Sequence, residues 1–262
     1  MHNFDFVKPS TIADAVKAMG HDGAQALSGG QTLIPTMKQR LAAPATLVSL
    51  TAIAEMQGVC TGDGGLHIGG ATPHGVVARE AAKHYPALAA LAGGIGDPAV
   101  RSKGTIGGSL ANNDPAACYP SAVLASGATV VTNSRKIAAD DYFQGMFSTA
   151  LHDGEIITEV VFPIPQKASY VKFNQPASRF ALTGVYVAKY ATGVRVAVTG
   201  ASNDGVFRWR EAEAALSANF SAAAISGLTV DPRAMIADLH GSAAYRANLV
   251  KVLTGRAVTA AG

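Results

Sequence analysis

"TIGGSLANNDPAACYP", residues 105–120, decides how this chain is read. The stretch is polar, glycine-paired and closed by two prolines. An amphipathic segment precedes it, and the strand-like run "ATVVT" (128–132) follows. Gly107-Gly108 and Asn112-Asn113-Asp114-Pro115 read either as a turn-rich connection or as a pocket wall whose backbone lies close to a polar ligand. Working outward, a second glycine pair stands in "LSGGQTL" (27–33), between the strand "AQAL" and a helix. Glycine pairs let main-chain N–H groups approach an anion, and Ser, Thr or Gln side chains add donors. Two such loops from different parts of the chain could grip both halves of a pyrophosphate without a lysine. Taken singly, "SGG" is also a tight turn and "IGG" also a packing point between strands. Neither loop has GxGxxG spacing, which disfavours a Rossmann site. A third segment, "IGGATPH" (68–74), reads both as a ligand-lining turn and as a helix start, with Thr72 as cap and Pro73 in the first turn.

The bulk properties agree with a globular chain. Its 262 residues are 48% hydrophobic and 15% charged, with 28 Gly and 12 Pro, which argues against disorder. A net charge of +3 without a basic block gives nucleic acid no footprint. Cys60 and Cys118 are far apart and form no CxxC, so this chain alone holds no iron–sulfur cluster. There is no HExxH and no P-loop, and "GGSLA" lacks nucleophile-elbow spacing. The opening "MHNFDFVKPS" has no apolar core, so no signal peptide is expected. The uncharged run 115–134 is broken by proline, glycine and hydroxyls, so no membrane span is expected either. The expected location is the cytoplasm.

Along the chain, Ser10 is expected to cap a helix through "TIADAVKAMG", and Leu33, Ile34, Met37 and Leu41 mark one face of the next. "TLVSL" (46–50) completes a small α/β unit. "MQGVC" and "LHIGGA", joined by "TGDGG", predict a hairpin. Helices follow over 73–84, 86–94 and near 120–126, then the strands "ATVVT" and "EIITEVVF". "FPIPQKAS" (162–169) is the linker candidate. Beyond it come "YVKFNQ", a hairpin turning at Thr192-Gly193, and helices in "RWREAEAALSA", "DPRAMIADLH" and "SAAYRANLVKVLTGRAV".

The ordered set "ALSGGQTLIPTMKQRLAAPATLVSL", "LHIGGATPH", "PAVRSKGTIGGSLANNDPAACYP" and "EIITEVVF", with "AYRANLVKVLTGRAV" near the end, resembles the FAD-binding medium subunit of molybdenum hydroxylases. That family includes relatives of xanthine dehydrogenase and aerobic carbon monoxide dehydrogenase. The resemblance implies an α+β chain with a two-subdomain, PCMH-like FAD-binding fold over 1–167 (subdomains about 1–52 and 53–167). A C-terminal flavoprotein domain, 168–262, would follow as an antiparallel sheet with a helical bundle. It implies that Ser28, Gly29, Gly30, Gln31 and Thr32 hold the FAD pyrophosphate, flanked by Leu27 and Leu33. Gly70, Ala71 and Thr72 would lie along the cofactor. Thr105, Ile106, Gly107, Gly108 and Ser109 would form the second grip, extended by Asn112 and Asp114. Ile157 would sit over the adenine or ribose, and Lys172 near the flavin ring. Two departures stand out: Cys118 occupies a place where the family often has an acidic residue, and Arg179 precedes Phe180-Ala181 where the family often has Asp. Phe180 reads either as a stacking partner of the isoalloxazine or as a core strand residue.

The function so implied is electron transfer from 2Fe–2S clusters on a small subunit through FAD to an external acceptor. Substrate oxidation would occur at a molybdenum cofactor on a large subunit, in a dimer of heterotrimers. No catalytic acid, base or metal ligand is expected on this chain. A stand-alone flavin oxidoreductase of the same fold and a flavin-free structural subunit are the alternatives.

Overall fold

The computed structural model describes residues 1–262. The first unit is a three-stranded parallel sheet of β1 (Asp5–Val7), β2 (Ala24–Leu27) and β3 (Thr46–Ser49), in the order β1-β3-β2. Its helices are α1 (Ile12–Met19) and α2 (Leu33–Lys38). The α1 cap is Thr11, one residue after the expected Ser10, because its side chain reaches the Asp14 amide at 3.1 Å. α2 stops before Leu41. Arg40 turns left-handed (φ 62°), and Leu41 stands exposed instead of continuing the apolar face.

The second unit is built on the hairpin β4 (Val59–Gly62) and β5 (Gly65–Gly69), which turns at Asp63-Gly64 as its sequence predicts. Then come α3 (His74–Glu80), α4 (Pro86–Gly93), α5 (Pro98–Lys103), α6 (Ile106–Asn112) and α7 (Tyr119–Ser126). After β6 (Thr129–Thr132), β7 (Lys136–Ala138) and the short α8 (Ala139–Tyr142) lies a small ribbon, β8 (Phe143–Gly145) with β9 (Ser148–Thr149). β10 (Ile157–Phe162) then enters the middle of an antiparallel sheet ordered β4-β5-β10-β6-β7. The stretch 105–120 is thus not one loop. Its first half is α6, capped by Thr105, whose hydroxyl accepts from the Gly108 amide. The glycine pair hides this helix from periodicity, since it adds no apolar face.

The third unit is the antiparallel sheet β11 (Lys167–Asn174), β12 (Ala181–Tyr190), β13 (Gly193–Ser202) and β14 (Gly205–Arg208), followed by α9 (Arg210–Ala218) and α10 (Ala243–Ala261). "DPRAMIADLH" is one short 3₁₀ turn rather than a helix. Asp231 caps that turn, and Met235 and Ile236 then run extended beside β13, the Ile236 amide donating to Ala201. One face of the sheet packs on α9 and α10. The other face contributes Tyr186, Ala188 and Ala197 to the core of the second unit, against the wholly buried α7. Burial on both faces explains why β12 and β13 read as continuous apolar runs rather than alternating ones. No helix is long and apolar enough to cross a membrane.

Glycine sets the first unit against the second at Gly29, and closes the second unit on itself at Gly70 and Gly107. A Cβ on Gly29 would lie 2.2 Å from the Lys103 carbonyl oxygen, one on Gly70 2.2 Å from that of Ile157, and one on Gly107 2.5 Å from that of Gly70. Backbone touches backbone at each point, so added volume must separate elements rather than rotate a side chain. Gly29→Ala or Gly107→Ala is expected to destabilise the chain by about 2–3 kcal/mol. Gly227→Ala, in open space, should stay within about 0.5 kcal/mol. Urea midpoints of the three variants check this.

Candidate functional site

A cavity of about 500 Å³ lies where the three units converge, a size suited to an organic cofactor. β2 ends at Leu27, and the chain turns through Ser28–Thr32 before α2. The amides of Gly29, Gly30, Gln31 and Thr32 donate to no protein acceptor, so this turn offers a row of free donors. Gly30, at φ 67°, makes the turn possible, and the Gln31 side chain bonds back to the Gly29 carbonyl.

The opposing wall is the start of α6, and it works differently. Its amides are already used: Gly107 donates to the Gly70 carbonyl (2.9 Å), Gly108 to the Thr105 hydroxyl and Ser109 to the Thr105 carbonyl. Thr105 Oγ1 in turn donates to Ser28 Oγ at 2.8 Å, tying the two walls directly. The second glycine pair therefore supplies closeness and side-chain hydroxyls rather than free amides.

Of the residues expected at the site, Leu27 through Leu33, Gly70, Thr105, Gly107, Gly108, Ser109, Asn112, Asp114, Ile157 and Lys172 all line this cavity. Ala71, Thr72 and Ile106 stand off the wall. Ala71 packs with the core of the first unit, and Ile106 is fully buried in that of the second. The Thr72 hydroxyl exchanges hydrogen bonds with the Gly58 main chain, so it pins the β4–β5 hairpin instead of capping α3, whose cap is Pro73. Asp114 accepts from the Ala116 amide, holding the turn after α6. Just beyond it, the carbonyls of Pro115 and Ala117 accept from the Thr199 hydroxyl on β13.

Lys172 reaches from β11 across the cavity. Its ammonium donates to the Gly94 carbonyl (2.8 Å) and the Arg179 carbonyl (2.9 Å), and lies 3.6 Å from Cys118 Sγ. Cys118 is buried and free. The cation on this wall thus has two carbonyls and a thiol beside it, and no carboxylate. Phe180 is half exposed on the cavity wall, just ahead of β12, so it is not a core strand residue.

Sequence reasoning passed over other wall residues. Glu155, beside Ile156 and Ile157, is held by Arg135 at 2.9 Å and by Thr132, Ser134 and the His152 amide, which keep its carboxyl well below the usual range. His74 lies against Gly104 and Tyr119, with Nδ1 buried and unpartnered. Burial, aided by the Arg101 charge, lowers its pKa to about 4, so the ring is neutral. No local pattern marks such a histidine, because its burial comes from α5, α6 and α7 closing over it.

With this geometry in place, the similarity to known proteins is specific. Residues 2–165 match the family model described as the FAD binding domain in molybdopterin dehydrogenase. The chain belongs to that oxidoreductase family, and its cofactor is FAD. It is similar to the nicotine 6-hydroxylase medium subunit of Paenarthrobacter nicotinovorans, 32% identical over 98% of this chain and 96% of that one. It is also similar to the glyceraldehyde dehydrogenase medium chain of Sulfolobus acidocaldarius, 31% identical over 97% and 96%. Among solved structures, reconstituted CO dehydrogenase from Oligotropha carboxidovorans superposes with a TM-score of 0.88 at 29% identity, covering 99% of this chain and 98% of that chain.

The residues present fit FAD. The free amides of 29–32 suit a pyrophosphate. A Cβ at Gly108 would sit 3.1 Å from Thr105 Oγ1 and 3.8 Å from Ser28 Cβ, in the gap between the two walls. That gap is open because position 108 has no side chain.

The neutral His74 makes an acid-stability prediction. Its folded pKa, near 4, is below the ordinary 6.5, so the unfolded chain binds more protons in that window. Stability then rises with pH between about 4 and 6.5 and is lost on acidification, by up to about 3 kcal/mol from this ring. Denaturant midpoints measured from pH 7 to 4 should show this slope. His74→Gln should flatten it.

Proposed function

We propose that this chain is the FAD-carrying electron-transfer subunit of a molybdenum-containing hydroxylase or dehydrogenase. In this proposal electrons arrive from 2Fe–2S clusters on a small partner subunit and leave to an external acceptor. The molybdenum cofactor sits on a large subunit, within a cytoplasmic dimer of heterotrimers. FAD, when bound, supplies the one- and two-electron chemistry that no side chain here can supply.

The observation that carries the reading is the pairing of two walls at one cavity: four free amides on one side, and a side-chain-free gap at Gly108 on the other. In the proposed division, residues 1–52 bring Ser28–Thr32 to the pyrophosphate. Residues 53–167 bring Gly70, Thr105, Gly107, Gly108, Ser109, Asn112, Asp114 and Ile157, and residues 168–262 bring Lys172 to the ring. Thr105 positions Ser28 through their hydroxyl bond. Lys172 and Phe180 line the part of the cavity that also touches Cys118 and Arg179, which suits them to the ring end of the cofactor. None of these residues has to move a proton.

The purified chain is expected to be yellow and to release FAD on denaturation. Titration with FAD, followed by flavin fluorescence, should show Gly30→Val and Gly108→Leu each weakening binding about tenfold or more, the cost of overfilling a close-packed approach. Unchanged affinity in both variants would reduce the two glycine pairs to turns. Co-purification of a molybdenum-containing large chain and an iron–sulfur small chain tests the assembly; turnover by the isolated chain would favour the stand-alone reading.

A further inference from the structure

Cys118 Sγ and Lys172 Nζ stand 3.6 Å apart on the cavity wall, each held by a different unit. Cys118 caps α7 in the second unit, where the Ser121 hydroxyl donates to its carbonyl and fixes its main chain. Lys172 comes from β11 in the third unit, and its ammonium is steadied by the Gly94 and Arg179 carbonyls. No carboxylate pairs with it. Tyr170, two residues earlier on the same face of β11, brings a hydroxyl to Cys118. That hydroxyl is buried and has no hydrogen-bond partner.

This cluster is built for oxidation of the sulfur. The ammonium gives charge and a hydrogen bond to the hydroxide that leaves as the sulfur attacks a peroxide oxygen. The idle Tyr170 hydroxyl is a buried donor, and an oxygen added to the sulfur gives it an acceptor. The Lys172 amine, on a flexible stem, is a nucleophile within reach of the same sulfur. Cys60, the other free thiol, is exposed on β4 and stands outside the cavity.

We propose that Cys118 and Lys172 form a modification site for hydrogen peroxide, closing to a thiol-reversible sulfenamide cross-link on the cavity wall. First the sulfur takes one peroxide oxygen: R–SH + H₂O₂ → R–SOH + H₂O, the sulfur losing two electrons and the peroxide gaining them. The amine then gives a proton to solvent and attacks that sulfur, whose S–O bond breaks: R–SOH + R′–NH₃⁺ → R–S–NH–R′ + H₂O + H⁺. Two equivalents of an external thiol restore both side chains and leave as a disulfide. The cross-link joins α7 to β11 and takes the cation from this wall, which loosens the cavity's hold on an anionic cofactor. That consequence rests on the flavin reading; the cross-link itself does not.

The test treats the full FAD-loaded chain, carrying Cys60→Ser, with hydrogen peroxide at pH 8. Intact mass should fall by two hydrogens, and peptide mapping should join the segments that contain Cys118 and Lys172. Dithiothreitol should restore the starting mass. Lys172→Arg keeps the charge without the amine, and should stop at the sulfenic acid, one oxygen heavier and captured by dimedone. Cys118→Ser should show neither change. FAD affinity, read by flavin fluorescence, should fall about threefold or more on oxidation and recover with dithiothreitol. An unoxidised Cys118, a sulfenic acid that accumulates in place of the cross-link, or a cross-link that dithiothreitol leaves intact would overturn the site. Unchanged FAD affinity in the cross-linked chain would overturn its effect on the cofactor. A chain that takes up no FAD before oxidation fails the flavin reading instead, while the mass changes still judge the cross-link.

Discussion

Main chain lying on main chain at Gly29, where the Ser28–Thr32 turn rests against Lys103 and Gly104, is the contact on which the site depends. A carbonyl oxygen 2.2 Å from where a Cβ would be leaves no tolerance, so the gap between the walls is set by the backbone itself. Two further contacts of the same kind, Gly70 on Ile157 and Gly107 on Gly70, carry this spacing back to β10, a central strand of the second sheet. The hydroxyl bond from Thr105 to Ser28 adds direction to what the glycines make close. Interiors packed to this density transmit displacement instead of absorbing it, so the cavity's width is a property of the whole second unit.

The third unit supplies another wall through a few polar connections. Thr199 and the Gly200 amide hold the carbonyls that follow α6, and Lys172 spans from β11 to the end of α4. Beneath these bonds the sheet is buried on both faces, its Tyr186 side sharing a core with α7. The unit is therefore fixed to the rest by apolar burial and aligned by hydrogen bonds. The result is a cavity with free donors at one end and positive charge, from Lys172 and Arg179, at the other.

Much of this was legible in particular residues. Asp63-Gly64-Gly65 announced its hairpin, and "SGGQT" announced a tight glycine-pair turn, in which Gly30 proves to be left-handed. Turn chemistry is local, so a short window carries it. α6 was not legible, because Ile106 to Asn112 spends two of its positions on glycine and its apolar face is no more than Ile106 and Leu110, too short a pattern to mark a helix. "DPRAMIADLH" has helical composition but lies beside β13, where the edge bond from Ile236 to Ala201 overrides propensity. His74 gave no signal at all, since an imidazole becomes buried and neutral only when distant helices close over it.

The sequence by itself determined where glycine must stand, which loops carry hydroxyl and amide donors, and in what order the family's segments follow one another. These depend on backbone sterics and side-chain chemistry, which each residue carries with it. Only the tertiary structure decided that the two glycine pairs do different work. The acceptor for the Gly107 amide is the Gly70 carbonyl at the end of a separate strand, while the amides of Gly29 to Thr32 bond to no protein acceptor. Whether a donor is spent inside the fold or left for a ligand depends on what the rest of the chain brings to it, and that is a property of the packed molecule alone.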